Sequence, residues 1–161
     1  MRILLLALTL SLTAVVVPAA DITVNHAGKP AVGLTIPEGW TAIPVDAKTS
    51  IKTAQKHPHI QVWATTAADL AAAHKDVAKI VESEVTHFVD EKTQDLTVGG
   101  AKAIALIGTG EEADDGDPSQ AEVTFFSMGT VVYVMIAHGE GDGAAKQQAV
   151  LRGILASAKA L

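Results

Sequence analysis

Two imidazoles two residues apart are the first groups in this sequence that could do chemistry. His57-Pro58-His59 lies in a stretch that reads as extended, and in extended chain residues i and i+2 point to one side. The pair can present two nitrogens to one transition metal, with Gln61 and Trp63 continuing that side. His57 and His59 are therefore the expected metal ligands. Two ligands do not close a site, so a third must come from elsewhere in the fold; otherwise the segment is a polar turn stiffened by Pro58. Under either reading a large aromatic stands among polar groups on one strand face, and His59, Gln61 and Trp63 form the expected ligand or partner surface.

Other segments carry weaker signals. Gly139-Glu140-Gly141-Asp142-Gly143-Ala144 imitates a glycine-rich dinucleotide turn, but Glu140 and Asp142 would repel phosphate and no second strand follows to carry the ribose-binding acid. A flexible turn with Asp142 capping the next helix accounts for it. Glu111-Glu112-Ala113-Asp114-Asp115-Gly116-Asp117 is dense in carboxylates yet lacks the spacing of a calcium loop, so a solvated hairpin loop is expected, with at most weak divalent-metal association. Ser127 is not in a G-x-S-x-G elbow, and Glu82 and Glu84 diverge if helical. No cofactor is expected, and a binding module is favoured over an enzyme.

Composition narrows the partners. The 161 residues include no cysteine, which excludes disulfides, thiolate zinc sites, cysteine nucleophiles and a lipidated cysteine. Residues 1–20 have a basic start at Arg2, an apolar run from Ile3 to Val17 and small residues at Pro18-Ala19-Ala20, the order of a secretory leader and too short to span a bilayer. Removing it takes the formal charge from −6 to −7 and leaves Arg152 the only arginine. Such a surface suits neither nucleic acid nor anionic lipid. A periplasmic or secreted protein with no transmembrane segment in the mature chain is expected, its partner an envelope or extracellular protein or a small ligand.

The elements that must position these groups follow from periodicity. Residues 21–30 are polar and read as an arm. Val32, Leu34 and Ile36 alternate up to Pro37-Glu38-Gly39, which delivers Trp40 to a buried site. A weaker strand spans 50–55, and Ile60, Val62 and Ala64 alternate with Gln61, Trp63 and Thr65. From Leu70 through Ala73, Val77, Ile80, Val81 and Val85 to Phe88 the spacing is three or four, predicting a helix over 67–88 opened by a Thr66/Asp69 capping box. Strands return at 95–98, 102–109, 121–127 and 130–138, joined at Gly99-Gly100 and Met128-Gly129. The run Val131 to Ala137 is apolar on both faces and needs cover on both. A second amphipathic helix runs through Val150, Leu151, Ile154, Leu155 and Ala158 to Leu161.

This order, with the Pro37-Glu38-Gly39-Trp40 motif, resembles the PsbP-like proteins and their DcrB-like bacterial relatives over residues 31–161. The resemblance implies one α+β domain, an α/β/α sandwich around an antiparallel β-sheet of about five to seven strands. It implies no catalytic set, since members are mostly exported accessory proteins. The expected function is a small exported non-catalytic binding or accessory module; the alternative is a metal-dependent protein, a metal binder or hydrolase, built on His57 and His59.

Overall fold

A computed structural model describes residues 20–53, 59–140 and 143–161, and the side chains of 143–145 are not among those described. The strands are β1 (Ala20–His26), β2 (Lys29–Ile36), β3 (Thr41–Val45), β4 (Lys48–Lys52), β5 (His59–Ala64), β6 (Val85–Val98), β7 (Ala101–Glu112), β8 (Pro118–Met128), β9 (Val131–Gly139) and β10 (Lys159–Ala160). The helices are α1 (Leu70–Lys75), α2 (Val77–Val81) and α3 (Gly143–Ala156). Seven strands form one antiparallel sheet in the order β3-β4-β5-β9-β8-β7-β6, and β1, β2 and β10 form a second.

Strand parity divides the large sheet into two apolar faces. Val132, Val134 and Ile136 of β9 join Val123, Phe125, Leu106 and Trp63 under Ala73, Val77 and Val81 of the short helices. The alternate residues, Tyr133, Met135, Ile60, Val62 and Phe126, pack against Leu151, Ile154 and Leu155 of α3 and against Val24, Val32, Leu34 and Ile36 of the small sheet. β9 is thus covered on both sides, as its composition requires. On the second face Arg152 ties α3 to the sheet: its Nε donates to the fully buried Glu122 at 2.7 Å and its Nη2 to Gln94 at 2.7 Å.

Five local expectations need correction. Residues 21–30 are not an arm, because Ile22 and Val24 alternate with polar residues and pair across a two-residue turn at Ala27-Gly28, both at positive φ, with Leu34 and Val32. The 67–88 helix is two short helices parted at Asp76, and Val85 and Phe88 belong to β6 while still facing the same apolar cluster. The cap is Asp69 alone, whose carboxylate accepts from Ala72 N at 2.8 Å; the Thr65 hydroxyl, rather than Thr66, fixes the approach by accepting from Ala67 N. The closing helix stops at Ala156, where Ser157 Oγ accepts from Thr35 N at 2.8 Å and leads the chain into β10. Sequence reading missed β3 altogether, and the motif before it makes a turn, with Gly39 at φ 76 and Trp40 N donating to Pro37 O at 3.2 Å. Trp40 is half-buried against the α3-side cluster instead of fully enclosed.

Candidate functional site

At one end of the large sheet the helix-covered face turns from apolar to polar. The strands place the residues by parity. His138 continues Val134 and Ile136 on β9, Ser119 precedes Ala121 on β8, and Glu112 ends β7 on the side of Leu106. Gln61 and His59 continue Trp63 on β5, and their β4 partners in register are Lys48 opposite Trp63, Ser50 opposite Gln61 and Lys52 opposite His59. Glu84, in the turn after α2, is held by its N–H donating to Val81 O at 2.8 Å and its carbonyl accepting from Ala113 N at 3.0 Å.

The centre is an imidazole between two carboxylates. His138 is 5 % exposed, Glu112 7 % and Glu84 9 %. His138 Nδ1 lies 2.8 Å from Glu112 Oε2, and Glu112 Oε1 accepts from Ser119 Oγ at 2.7 Å. Ser119 Oγ in turn accepts from Gly139 N at 3.0 Å. The other imidazole nitrogen, Nε2, is buried without a hydrogen bond, 3.9 Å from Glu84 Oε2. The Glu84 carboxylate also takes the Lys48 ammonium and the Gln61 amide, while Lys48 Nζ reaches Ser83 Oγ at 2.6 Å. Two charged carboxylates at this depth require compensation; Lys48 supplies one positive charge and the Nδ1 and Ser119 contacts supply hydrogen bonds.

Of the residues singled out from sequence, His59 and Gln61 enter this cluster. His59 Nε2 is 2.6 Å from Ser50 Oγ and its ring centroid is 6.1 Å from that of His138. Trp63 is 8 % exposed, inside the apolar cluster beneath the short helices, with Lys48 Nζ 4.5 Å from its ring centroid. It also lines a cleft of about 300 Å³ formed with Thr65, Thr66, Ala67, Asp76, Lys79 and Ile80. His57 lies outside the described residues, as does Asp142 with its expected cap. Among the described residues no group of three His, Asp or Glu side chains is arranged to hold a metal ion.

Glu84, Glu112, Ser119 and His138 were missed. The carboxylate-dense sequence predicts a solvated loop that includes Glu112, but the strand continues through Glu111 and Glu112 and the turn occupies only 113–117. The available signal was phase: His138 and Glu112 fall on core-facing positions of their strands, where an ionisable residue must have buried partners. Neither His74, 3.4 Å from Asp90, nor His87, 3.1 Å from Glu111, belongs to the cluster; both ion pairs are at the surface.

Beside this site the outer strand of the sheet is bare. Ile43 and Val45 of β3 pair with Ser50 and Lys48, so they lie on the same sheet face, and they are 41 % and 51 % exposed. The face runs from an open apolar edge through half-buried His59 and Gln61 to the buried Glu84–His138–Glu112 group.

No protein-family model matches the chain, and no curated protein does. Solved structures do match. The solution structure of the cyanobacterial PsbP protein, CyanoP, from Synechocystis has a TM-score of 0.58, with 9 % identity over 81 % of this chain and 86 % of that one. The crystal structure of LpqN, involved in cell envelope biogenesis of Mycobacterium tuberculosis, gives 0.55 and 16 % identity over 90 % of this chain and 91 % of that one. A Bacteroides thetaiotaomicron protein gives 0.55 and 12 % identity over 81 % of this chain, which spans only 45 % of that longer one. The PsbP-like resemblance therefore holds for the fold: an α+β architecture of mostly antiparallel sheets with a few helices.

Proposed function

We propose that this is an exported, non-catalytic binding or accessory module, a single domain after its leader, that meets its partner through the β3–β5 face carrying His59, Gln61 and the edge of Trp63. The observation behind this reading is the pair Ile43 and Val45, exposed on an edge strand in register with that polar face. Exposed apolar side chains beside half-buried polar ones are the composition of an interface patch. The buried Glu84–His138–Glu112 group beneath it holds β5, β7, β8 and β9 in one arrangement, so the face is rigid before anything binds. LpqN, of similar fold, is involved in cell envelope biogenesis, which agrees with a partner in the cell envelope. Among the described residues no helix is long and apolar enough to cross a membrane.

The test is capture from an envelope extract by the mature chain. Ile43→Glu with Val45→Glu should abolish a specific capture that the unmodified chain shows, with a loss of no more than about 1 kcal/mol in stability, because about half of each side chain is already in water. Retained capture by that variant overturns the choice of face. The leader carries its own prediction: N-terminal sequencing of the exported protein should begin at Ala20 or Asp21. An intact Met1 in a membrane fraction would contradict cleavage.

The alternative metal reading on His57 and His59 draws on one observation, the His138 ring 6.1 Å from that of His59. Against it stand the Ser50 hydroxyl at His59 Nε2 and the Lys48 ammonium at Glu84. Micromolar Zn²⁺ or Cu²⁺ binding that disappears with His57→Ala plus His59→Ala would replace the accessory-module reading with the metal-dependent one.

A further inference from the structure

The cleft beside Trp63 is built by the helix break. Thr65 anchors its near wall, with N–H and hydroxyl both directed to Val132 O at 2.8 and 3.0 Å. Asp76 interrupts the helix, with φ −102 and ψ 16, and then starts α2 without using its carboxylate as a cap. Asp76 and Lys79 are exposed on the rim, three residues apart, a spacing that sets their Cβ atoms roughly 5–6 Å from each other. Among the described residues neither charge has an ion-pair partner, the Thr66 hydroxyl makes no hydrogen bond, and neither does the Trp63 indole N–H. The floor, Trp63, Ala67 and Ile80, is apolar.

We infer that this cleft is a binding site for a small zwitterion of the free α-amino acid class. Asp76 takes the ammonium group, Lys79 and Thr66 take the carboxylate, and the ligand's side chain rests on Ala67, Ile80 and the one uncovered edge of Trp63. The opposed charges favour a ligand that carries both signs, because a wholly apolar one would gain nothing from either rim group. A stacked sugar is disfavoured as well, since Trp63 is almost entirely covered and the Lys48 ammonium already lies over its ring. The inference rests on the binding-module reading and shares Trp63 with the β3–β5 face, but Asp76, Lys79 and Thr66 stand apart from Ile43 and Val45, so the two sites can fail separately.

Trp40 and Trp63 are the only tryptophans. In a Trp40→Phe background the emission therefore reports the cleft alone. Titration with free leucine and free phenylalanine should give a saturable change with Kd below about 1 mM. Asp76→Asn and Lys79→Met should each weaken binding about tenfold or more without altering the circular dichroism, whereas Ile43→Glu with Val45→Glu should leave it unchanged. N-acetyl-leucine amide, which has neither charge, should not bind. No saturable response up to about 10 mM of either amino acid, equal binding of the uncharged derivative, or indifference to both cleft substitutions overturns the site, and leaves the capture experiment on the β3–β5 face to be judged on its own.

Discussion

Glu112→Ala should lower the unfolding free energy by about 3–5 kcal/mol, the sum of a buried donor left without its acceptor and of the cavity that the lost side chain leaves. The side chain is buried and accepts from Ser119 Oγ while Oε2 lies 2.8 Å from His138 Nδ1. Alanine leaves that nitrogen without an acceptor, beside an Nε2 that already has no hydrogen bond, and leaves the Ser119 hydroxyl only the distant Gly139 carbonyl at 3.4 Å and the Gln120 carbonyl at 3.5 Å. Glu111→Ala, next in sequence but exposed and paired only with surface His87, should cost less than about 1 kcal/mol. Glu112→Gln keeps the volume and one acceptor oxygen, and should fall between them at about 1–3 kcal/mol. Urea unfolding of the three variants checks the order. If Glu111→Ala and Glu112→Ala are equally stable, the buried group contributes nothing and the rigidity ascribed to the β3–β5 face has another source.

That pair of neighbouring glutamates shows where the site was legible in sequence and where it was not. His59, Gln61 and Trp63 share a face because a strand alternates, and any strand reading of 59–64 finds it. His138, Glu112 and Ser119 converge on His59 only through the strand order β5-β9-β8-β7, which no local pattern specifies. The unbroken three-and-four spacing makes Glu84 look helical, yet it lies past the end of α2 and its carboxylate meets Lys48 and Gln61, 36 and 23 positions away. What local reading retained was the anomaly of phase, a charged residue in register with Leu106 and a histidine in register with Ile136.

The fold was legible where periodicity was uninterrupted or turn chemistry was explicit. Gly99 and Gly100, both at positive φ, close the β6–β7 hairpin at Val98 and Ala101, as a Gly-Gly pair between alternating runs announces. The failures occurred where two periods overlap. Val85 and Phe88 continue the three-and-four spacing of Val77 and Val81, so one stripe serves two helices and a strand that all face Phe125 and Leu106. β1 and β3 escape a periodicity reading for different reasons: β1 has only Ala20, Ile22 and Val24 apolar among seven residues, and β3 is five residues interrupted by Pro44, which a strand accepts only at an edge.

Val77→Asp tests the shared stripe directly and should be the most damaging of the changes considered, at more than about 4 kcal/mol. Val77 opens α2 and is buried between the helices and the sheet. Val134, Ile136 and Phe125 of the same cluster can offer an aspartate no side-chain hydrogen bond. The new carboxylate must stay charged without a partner, take up a proton, or pull α2 off the sheet, and each route is unfavourable. Lys75→Asp, two residues earlier, changes the charge by two but sits in water at the end of α1. It loses only a favourable contact with the helix dipole and should cost less than about 1 kcal/mol. For a domain of this size 1 kcal/mol corresponds to roughly 2–5 °C in Tm, so the two variants should melt more than about 6 °C apart. The position of α2 also forms the outer wall of the Trp63 cleft, and Val77→Asp should therefore change Trp63 emission in the Trp40→Phe background even below its melting temperature. Melting points within about 2 °C of each other would mean that α2 does not rest on the sheet, and the cleft would then have no fixed wall.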